Sequence, residues 1–570
     1  MIPRSVRQQA RLKEAQAAPL QAKFLPAPTG GLNSQDLLAE MPPTDCLLFE
    51  NLWPATNNIR YRSCCNLLFT CSGMVETLMA YNALNGTNLL FAAANFAGVG
   101  SIYRVDNLAG GAVGAALVGG SGNTVQALTS GRFDWTQFGT GALAVLVATD
   151  LTGSRLPMIY DGTSWTTADV SGGTYAWSGG PSGGNHLLTQ VVRYKSRLWM
   201  LQGGTNNVYY LPQNVVAGAL TLLALGPLFT LGGSIAAMIA VSIDNAAGIN
   251  DFMAFISTQG EVVMMQGYDP ASVSTWSEAG HFFMAKPLAL GRRTWVKMGS
   301  DALILCTDGV VPLSAELLTD RLQPGVARTA KVRTIFNNLV ITQTGLNAGF
   351  VFGYQLIYWP EQTALLAQMS QTGVEGADGC PQLVQNTQNN SWARWNYLIN
   401  LATTDNWGAI CWELMGGAAF FGYNGGGSYL KSVVTAGSGT DGVASGNLVP
   451  SYVLQTAYQL LDAPERVKIM SGALLHQYEW GISTTGAFSF KAAFVFDYAP
   501  NPAINLLPYG YTSPSSVSAA TQVLRVNIPV RGRAVSFIWY FAPSSENFGV
   551  NIGQLFGITL LYTPGTMLYA

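Results

Sequence analysis

The chain has 570 residues, long enough for a large core and more than one domain, with 63 glycines and only 29 basic against 31 acidic side chains. At 11% charged residues it lies far below the ~25% usual for soluble proteins, which points to a surface largely covered by other protein. The net charge of −2 excludes a chain-wide basic footprint for gripping nucleic acid.

Residues 1–29 read as a basic arm. Arg4, Arg7, Arg11, Lys13 and Lys23 stand against Glu14. Ala10, Ala15, Ala17 and Ala18 favour helix until Pro26 and Pro28 end it. No apolar run follows the arginines, so Met1–Arg11 does not read as a secretory signal. Such a segment has no core of its own and is expected to order against a partner, with Arg4, Arg7, Arg11 and Lys13 as candidate interface residues.

From 30 to 434 one grammar repeats: an apolar or aromatic strand, a Gly/Asn/Asp turn, and a second strand. Val191–Arg193, Arg197–Gln202 and Val208–Leu211 form the clearest example, with Gly203, Gly204, Asn206 and Asn207 supplying turn residues and Pro212 a stop. Echoes follow at Leu89–Val105, Leu143–Trp165, Phe252–Met265, Ala302–Val311, Leu356–Gln368 and Ala418–Leu430, the last with a turn at Asn424–Gly427. Their closing strands lie roughly 45–75 residues apart, longer than regular propeller repeats but compatible with inserted loops. The pattern predicts an all-β fold, an irregular β-propeller of about six or seven blades, with a tandem of β-sandwiches as the alternative. Val215–Ser242 is uncharged, but its glycines and Pro227 cut it into strand-length pieces, so no membrane span is expected. Thr435–Asn447 reads as a linker or crossing loop, and the strand-like runs beyond it as an additional C-terminal β domain, 435–570.

Motifs for chemistry are weak. No Gly-x-Ser-x-Gly elbow, phosphate-binding Gly-Lys-Ser/Thr loop or calcium-loop aspartate run occurs. Asp150 and Asp161 could supply paired carboxylates, but loop aspartates more commonly cap turns. Cys46, Cys64, Cys65, Cys71, Cys306, Cys380 and Cys411 have no metal-site spacing and read as reduced thiols. The expectation is a protein that is not an enzyme and takes neither cofactor nor metal.

One stretch is more specific. Gly30-Gly-Leu-Asn33, a short helical stretch to Met41-Pro-Pro43, Asp45, a strand, then Asn51 and Trp53-Pro54 resembles the opening of the tail nozzle or tail-hub proteins of short-tailed bacteriophages, including those described as DNA-stabilisation proteins. The likeness continues through Glu76–Tyr81, Gly100–Tyr103, Pro157–Trp165, Tyr194–Trp199, Phe252–Gln266 with Asp269-Pro270, Asp308–Ser314, Tyr354–Pro360 and Asn386–Trp395. It covers about residues 30–430 and departs from the family at Ser63–Cys71 and beyond 435. The resemblance implies a virion protein assembled in the host cytoplasm. It would be a homo-oligomeric ring, typically a hexamer, below the portal and head–tail adaptor. That ring would pass double-stranded DNA without sequence-specific binding and anchor a tail fibre or spike. Two other readings stay open: a carbohydrate-binding or hydrolysing propeller, and a tail-tube or baseplate-like subunit of another virion type.

Overall fold

A computed structural model describes residues 19–567, apart from 121–124, 142, 170–171, 246–247, 273, 315–325, 345–351, 371–380, 396–408, 434–440, 444–445, 449–451, 462–463, 479–487, 499–506, 512–521, 527–529 and 544–553. The fold is nearly all-β; Arg333–Thr344 is the one α-helix among the described residues. Arg4, Arg7, Arg11 and Lys13 lie outside them.

Between 66 and 430 the chain lays down antiparallel sheets in sequence. The first holds Asn66–Asn82, Asn88–Phe96 and Val99–Arg104. The second runs Phe133–Gly139, Ala144–Asp150, Met158–Tyr160, Trp165–Thr167, and the third Leu188–Tyr194, Arg197–Gln202, Asn207–Tyr210, Thr221–Ala224. The fourth is Ile235–Asn245, Gly248–Ser257, Glu261–Gly267, Trp276–Phe283, and the fifth Trp295–Met298, Asp301–Cys306, Gly309–Pro312. Gln355–Trp359, Ala364–Gln368, Gln382–Asn386 and Ser391–Trp395 follow, then the hairpin Cys411–Met415 with Ala418–Leu430. The uncharged stretch 215–242 holds Gly218–Ala219, Thr221–Ala224 and most of Ile235–Asn245, and no described helix is long and apolar enough to cross a membrane.

These strands carry long apolar runs because both faces of each sheet are covered. Along Ala144–Asp150, Leu146 and Ala148 pack toward Met79, Phe91 and Tyr160, while Val145 and Val147 pack toward Leu188, Leu198 and Met200. Trp199 and Leu201 turn the other way, toward Phe255 and Trp276, and Ile256 in turn faces Ile304. The two-residue strand period therefore feeds two cores from one segment. Trp199 and Trp276 stack with ring centroids 5.3 Å apart, a contact of about 0.5–1.5 kcal/mol beyond area burial.

The series closes on itself. In the final hairpin Trp412 and Phe421 join the core of the sixth sheet, and Cys411 and Phe420 that of the first. Asn66–Asn82 serves both ends. Its first part pairs with Ala418–Leu430, from Tyr429↔Asn66 to Asn424↔Met74. Its second part pairs with Asn88–Phe96. The turn expected at Asn424–Gly427 is therefore a continuous strand whose register shifts absorb the glycines. A Cβ on Gly426 would stand 2.3 Å from the Phe69 carbonyl, so the close pairing requires glycine there.

Residues 19–61 join the end of the chain. Gln21–Pro26, expected to be part of a helix-prone arm, is a strand pairing with Gln554–Met567, from Gln21↔Tyr562 to Pro26↔Gly557. Gln554–Met567 also pairs with Arg466–Tyr478 and Ile59–Tyr61. A ten-stranded sheet runs from Gln355–Trp359 through Gly31–Leu32 and Asp45–Glu50 into Tyr452–Thr456, Val535–Pro543, Phe488–Phe496 and Leu507–Tyr511. At the end of the stretch read as a linker, Asp441–Val443 pairs with Gly446–Leu448.

The opening motif is a fastening. Asn33 Nδ2 donates to Asp45 Oδ2 at 2.7 Å, and Lys331 Nζ donates to Asp45 Oδ1 at 2.8 Å and to the Gly30 carbonyl at 2.7 Å. Residues 35–41 form turns, not the expected short helix. Asn33 Oδ1 takes the amides of Gln35 and Asp36, which offers the backbone an alternative to helix, and Pro42 and Pro43 stop any continuation. Farther on, Asn386 Nδ2 donates to the Pro54 carbonyl and Trp395 Nε1 to that of Leu52, so two separated motifs meet.

Candidate functional site

A cavity of about 550 Å³ opens where the first strands of four consecutive sheets converge. Its walls come from Phe133–Gly139 (Trp135, Thr136, Gln137), Leu188–Tyr194 (Val191 to Tyr194), Ile235–Asn245 (Ala240 to Ser242) and Trp295–Met298 (Trp295, Lys297). Lys195, Ser196, Asp251 and Arg292 complete it. Tyr194 pairs with Arg197, leaving Lys195 and Ser196 as a two-residue hairpin with φ of 47° and 57°. Non-glycine residues held in this region carry strain of about 1–3 kcal/mol each, and the turn sets Lys195 on the rim.

One end of the cavity rests on a short 3₁₀ segment, Gly291–Thr294. Gly291 has φ of +60°, and a Cβ there would lie 2.9 Å from the Asp134 carboxylate. That clearance lets the Arg292 amide donate to Asp134 Oδ1 at 3.1 Å, while the Val191 amide donates to Oδ2 at 3.0 Å. Burial pushes Asp134 up to about 6, against these hydrogen bonds. The Arg292 guanidinium sits 3.7 Å from the Trp135 ring centroid and 3.3 Å from Glu413 Oε2. Burial likewise raises Glu413, and Arg292 opposes the rise. Arg293 donates to the Glu76 carbonyl and lies over Phe352, 4.2 Å from its centroid. The Glu76 carboxylate takes Arg132 Nε at 2.8 Å and the Gly131 amide at 2.6 Å. This knot ties Asn66–Asn82, Phe133–Gly139, Leu188–Tyr194 and Cys411–Met415 to the segment that precedes the fifth sheet.

The rim is positive. Lys195 pairs with Asp251, whose carboxylate is held low by hydrogen bonds from Lys195 and Ser242. Burial holds Lys297 below its ordinary value, and Arg193 adds to that while Asp251 opposes it. Asp251 is the one carboxylate residue among the residues lining the cavity. The Tyr194 hydroxyl donates to the Asp251 and Gly267 carbonyls, and burial raises it to about 12.

The carboxylates singled out from sequence are not part of this cavity's lining. Asp150 accepts from the Thr152 amide at 3.0 Å and the Ser154 amide at 3.2 Å. Asp161 accepts from the Thr163 and Ser164 amides, both at 2.9 Å. Burial raises Asp161, and these bonds outweigh it, leaving its pKa low. Both residues cap turns. Cys46, Cys65, Cys306 and Cys411 are buried, and burial raises the Cys71 and Cys411 thiols to about 12. Among the described residues no group of three His, Cys, Asp or Glu could hold a metal ion.

Sequence reading missed Glu76, Asp134, Arg292, Arg293 and Glu413. The available signal was Gly291-Arg292-Arg293 set directly after the apolar Leu288–Leu290 in a charge-poor chain.

No protein-family profile and no curated protein matches the chain. Among solved structures it has weak likenesses. An exo-beta-1,3-galactanase from Phanerochaete chrysosporium, with beta-1,3-galactotriose, is 11% identical at a TM-score of 0.26, over 79% of this chain and 99% of that one. Chaetomium thermophilum Raptor is 8% identical at 0.35, over 66% of this chain and 29% of that one. BBS1N in complex with ARL6DN is 9% identical at 0.35, over 66% and 99%. None of these three is a phage tail protein.

Proposed function

We propose that this chain is a structural subunit of the tail of a short-tailed phage, a nozzle or hub ring, built on a seven-bladed β-propeller. A second β unit, composed of 19–61 together with 452–567, accompanies the propeller. The observation that carries the reading is the ordered motif series of the nozzle family, from Gly30-Gly-Leu-Asn33 to Asn386–Trp395. In the fold these motifs are framework. Asn33, Asp45 and Lys331 lock the opening, and Asn386 and Trp395 bind the segment at Leu52 and Pro54. The 11% charged composition fits a subunit whose surface is shared with neighbours. In this reading six copies form the ring below portal and adaptor, continue the DNA channel, retain and then release the genome, and anchor fibres or spikes. The arm bearing Arg4, Arg7, Arg11 and Lys13 reaches the adaptor, the portal or a neighbouring copy.

A hydrolytic propeller is less well supported. Glycoside hydrolysis uses two carboxyl groups about 5–9.5 Å apart facing one space, and the cavity lining contributes Asp251 alone. Electron microscopy of particles containing the chain, with mass measurement of complexes released from them, tests the assignment. A closed ring at the tail is expected. Assembled particles holding the chain only as a monomer, or lacking it at the tail, would overturn it.

A further inference from the structure

The cavity between the first strands of the second to fifth sheets has a charge imbalance that the framework role does not use. Four cationic side chains line it: Arg193, Lys195, Arg292 and Lys297. Two of them are balanced. Lys195 pairs with Asp251, and Arg292 with Glu413. Arg193 and Lys297 make no ion pair among the described residues; burial and then the nearby Arg193 disfavour the Lys297 charge, and Asp251 only partly offsets them. Like charges set side by side on a concave surface cost free energy unless an anion enters, and a cleft with low-dielectric walls strengthens its field. The Arg292 Nη1 donor is buried without an acceptor, a further deficit on the same wall.

The rest of the lining suits a compact ligand. Trp135, Tyr194 and Trp295 give it flat apolar area beside the cations, and its volume of about 550 Å³ falls within the range of small-molecule sites. Arg193 and Lys297 project from rigid strands of two different sheets, so the pair is held apart without a mobile loop. A planar guanidinium beside an ammonium suits a tetrahedral, multiply charged oxyanion better than a single carboxylate, because several oxygens can be engaged at once.

We infer that this cavity binds a small phosphate-bearing ligand, gripped by Arg193 and Lys297 together with Arg292. The inference stands on the cavity alone and holds whether or not the chain is a tail protein. Asp251 is the antagonist: it holds Lys195 and places the one negative charge of the lining near the anion.

Calorimetric titration of the full chain with inorganic pyrophosphate at low salt tests it. One saturable site per chain is expected. Arg193→Ser and Lys297→Ser should each weaken binding about tenfold, and 0.3 M salt should weaken it further. Both residues keep part of their surface in solvent, and neither belongs to a hydrophobic core. Asp251→Asn should act the other way and tighten binding about threefold to fivefold, which no general loss of folding can imitate. Citrate should bind more weakly than pyrophosphate. No saturable binding of pyrophosphate, or binding unmoved by Arg193→Ser and Lys297→Ser, overturns the inference. So does binding of a single-stranded oligonucleotide without any of pyrophosphate, since the surface would then read a polymer backbone.

Discussion

In the sheets between 66 and 395 a strand pairs with the next one along the chain, while the sheets built from 21–61 and 452–567 pair residues from opposite ends of it. Tyr194 faces Arg197 across a two-residue turn; Gln21 faces Tyr562, and Asn58 Nδ2 reaches Gln554 Oε1 across 496 positions. The cost of closing a loop rises only slowly with its length, so the distant pairing is sustainable at equilibrium. It is expensive in time, because non-local contacts form only after the entropy of search has been met. Neighbour pairing makes each meander a local unit stabilised by its two flanking cores. End-to-end pairing makes the second region dependent on Gln554–Met567, which joins Gln21–Pro26, Ile59–Tyr61 and Arg466–Tyr478.

The sharpest way to break this comparison is to end the chain before Gln554. That removes the strand joining Gln21–Pro26 to Arg466–Tyr478. Hydrogen exchange should show protection lost in 21–26, reduced in 466–478, whose other edge still pairs with Gln522–Val526 and Val530–Gly532, and kept in 144–150, 197–202 and 253–256. Equal loss in the meanders would mean that the two regions unfold as one.

Within the meanders, Trp199→Ala should cost about 3–5 kcal/mol in urea unfolding, since Trp199 is buried against Trp276, Tyr210 and Tyr194. The loss should concentrate in the third and fourth sheets; exchange in 466–478 should not change.

The inner knot gives a pH test. Folding raises Asp134 from 3.8 to about 6. The folded state then holds its proton more tightly than the unfolded chain, so stability falls as pH rises from about 4 to 6. The deficit, about 3 kcal/mol, is fully present above that window. Asp134→Asn should flatten the melting temperature between pH 4 and 7; an unchanged slope would place the titration elsewhere.

Glu261 behaves oppositely. Its buried carboxylate accepts from the Thr230 and Leu231 amides at 2.7 and 2.8 Å and contacts His281 Nε2 at 2.7 Å. Burial alone would raise it, but these bonds bring it down to about 2 from 4.5. It stabilises above the ordinary value and loses that contribution as pH falls toward 2. Glu261→Gln should cost about 2 kcal/mol at pH 7, shrinking in acid, read from denaturation midpoints.

Much of the meander region was legible because its signals are local. Arg197–Gln202 was expected and is found at those bounds, and the hairpin read in Ala302–Val311 is present, turning at Thr307-Asp308 with Gly309 already paired to Cys306. Asn424–Gly427 misled because glycines that signal a turn also permit a bulged strand pressed against Thr70. Gln21–Pro26 was hidden for another reason: its alanine-rich upstream neighbours favour helix, while its actual partner lies at the far end of the chain. The cavity residues were unreadable since Trp135, Arg193, Asp251 and Lys297 come from four separate sheet-forming segments, with nothing in their spacing to join them. Asp150 and Asp161 were legible as turn caps, because an aspartate followed two residues later by threonine is a local hydrogen-bonding signal.

The divided loyalty of Asn66–Asn82 has a consequence during synthesis. Met74 leaves the ribosome early, but its partner Asn424 follows about 350 residues later. At about 5–20 residues per second, the 66–74 edge waits roughly 20–70 s for its cover. Throughout that interval a strand bearing Leu67, Leu68 and Phe69 offers unpaired amides and carbonyls to any other nascent copy on the same message. A cell short of chaperones should therefore lose this protein to aggregates that form while it is being made, and slower translation should worsen the loss.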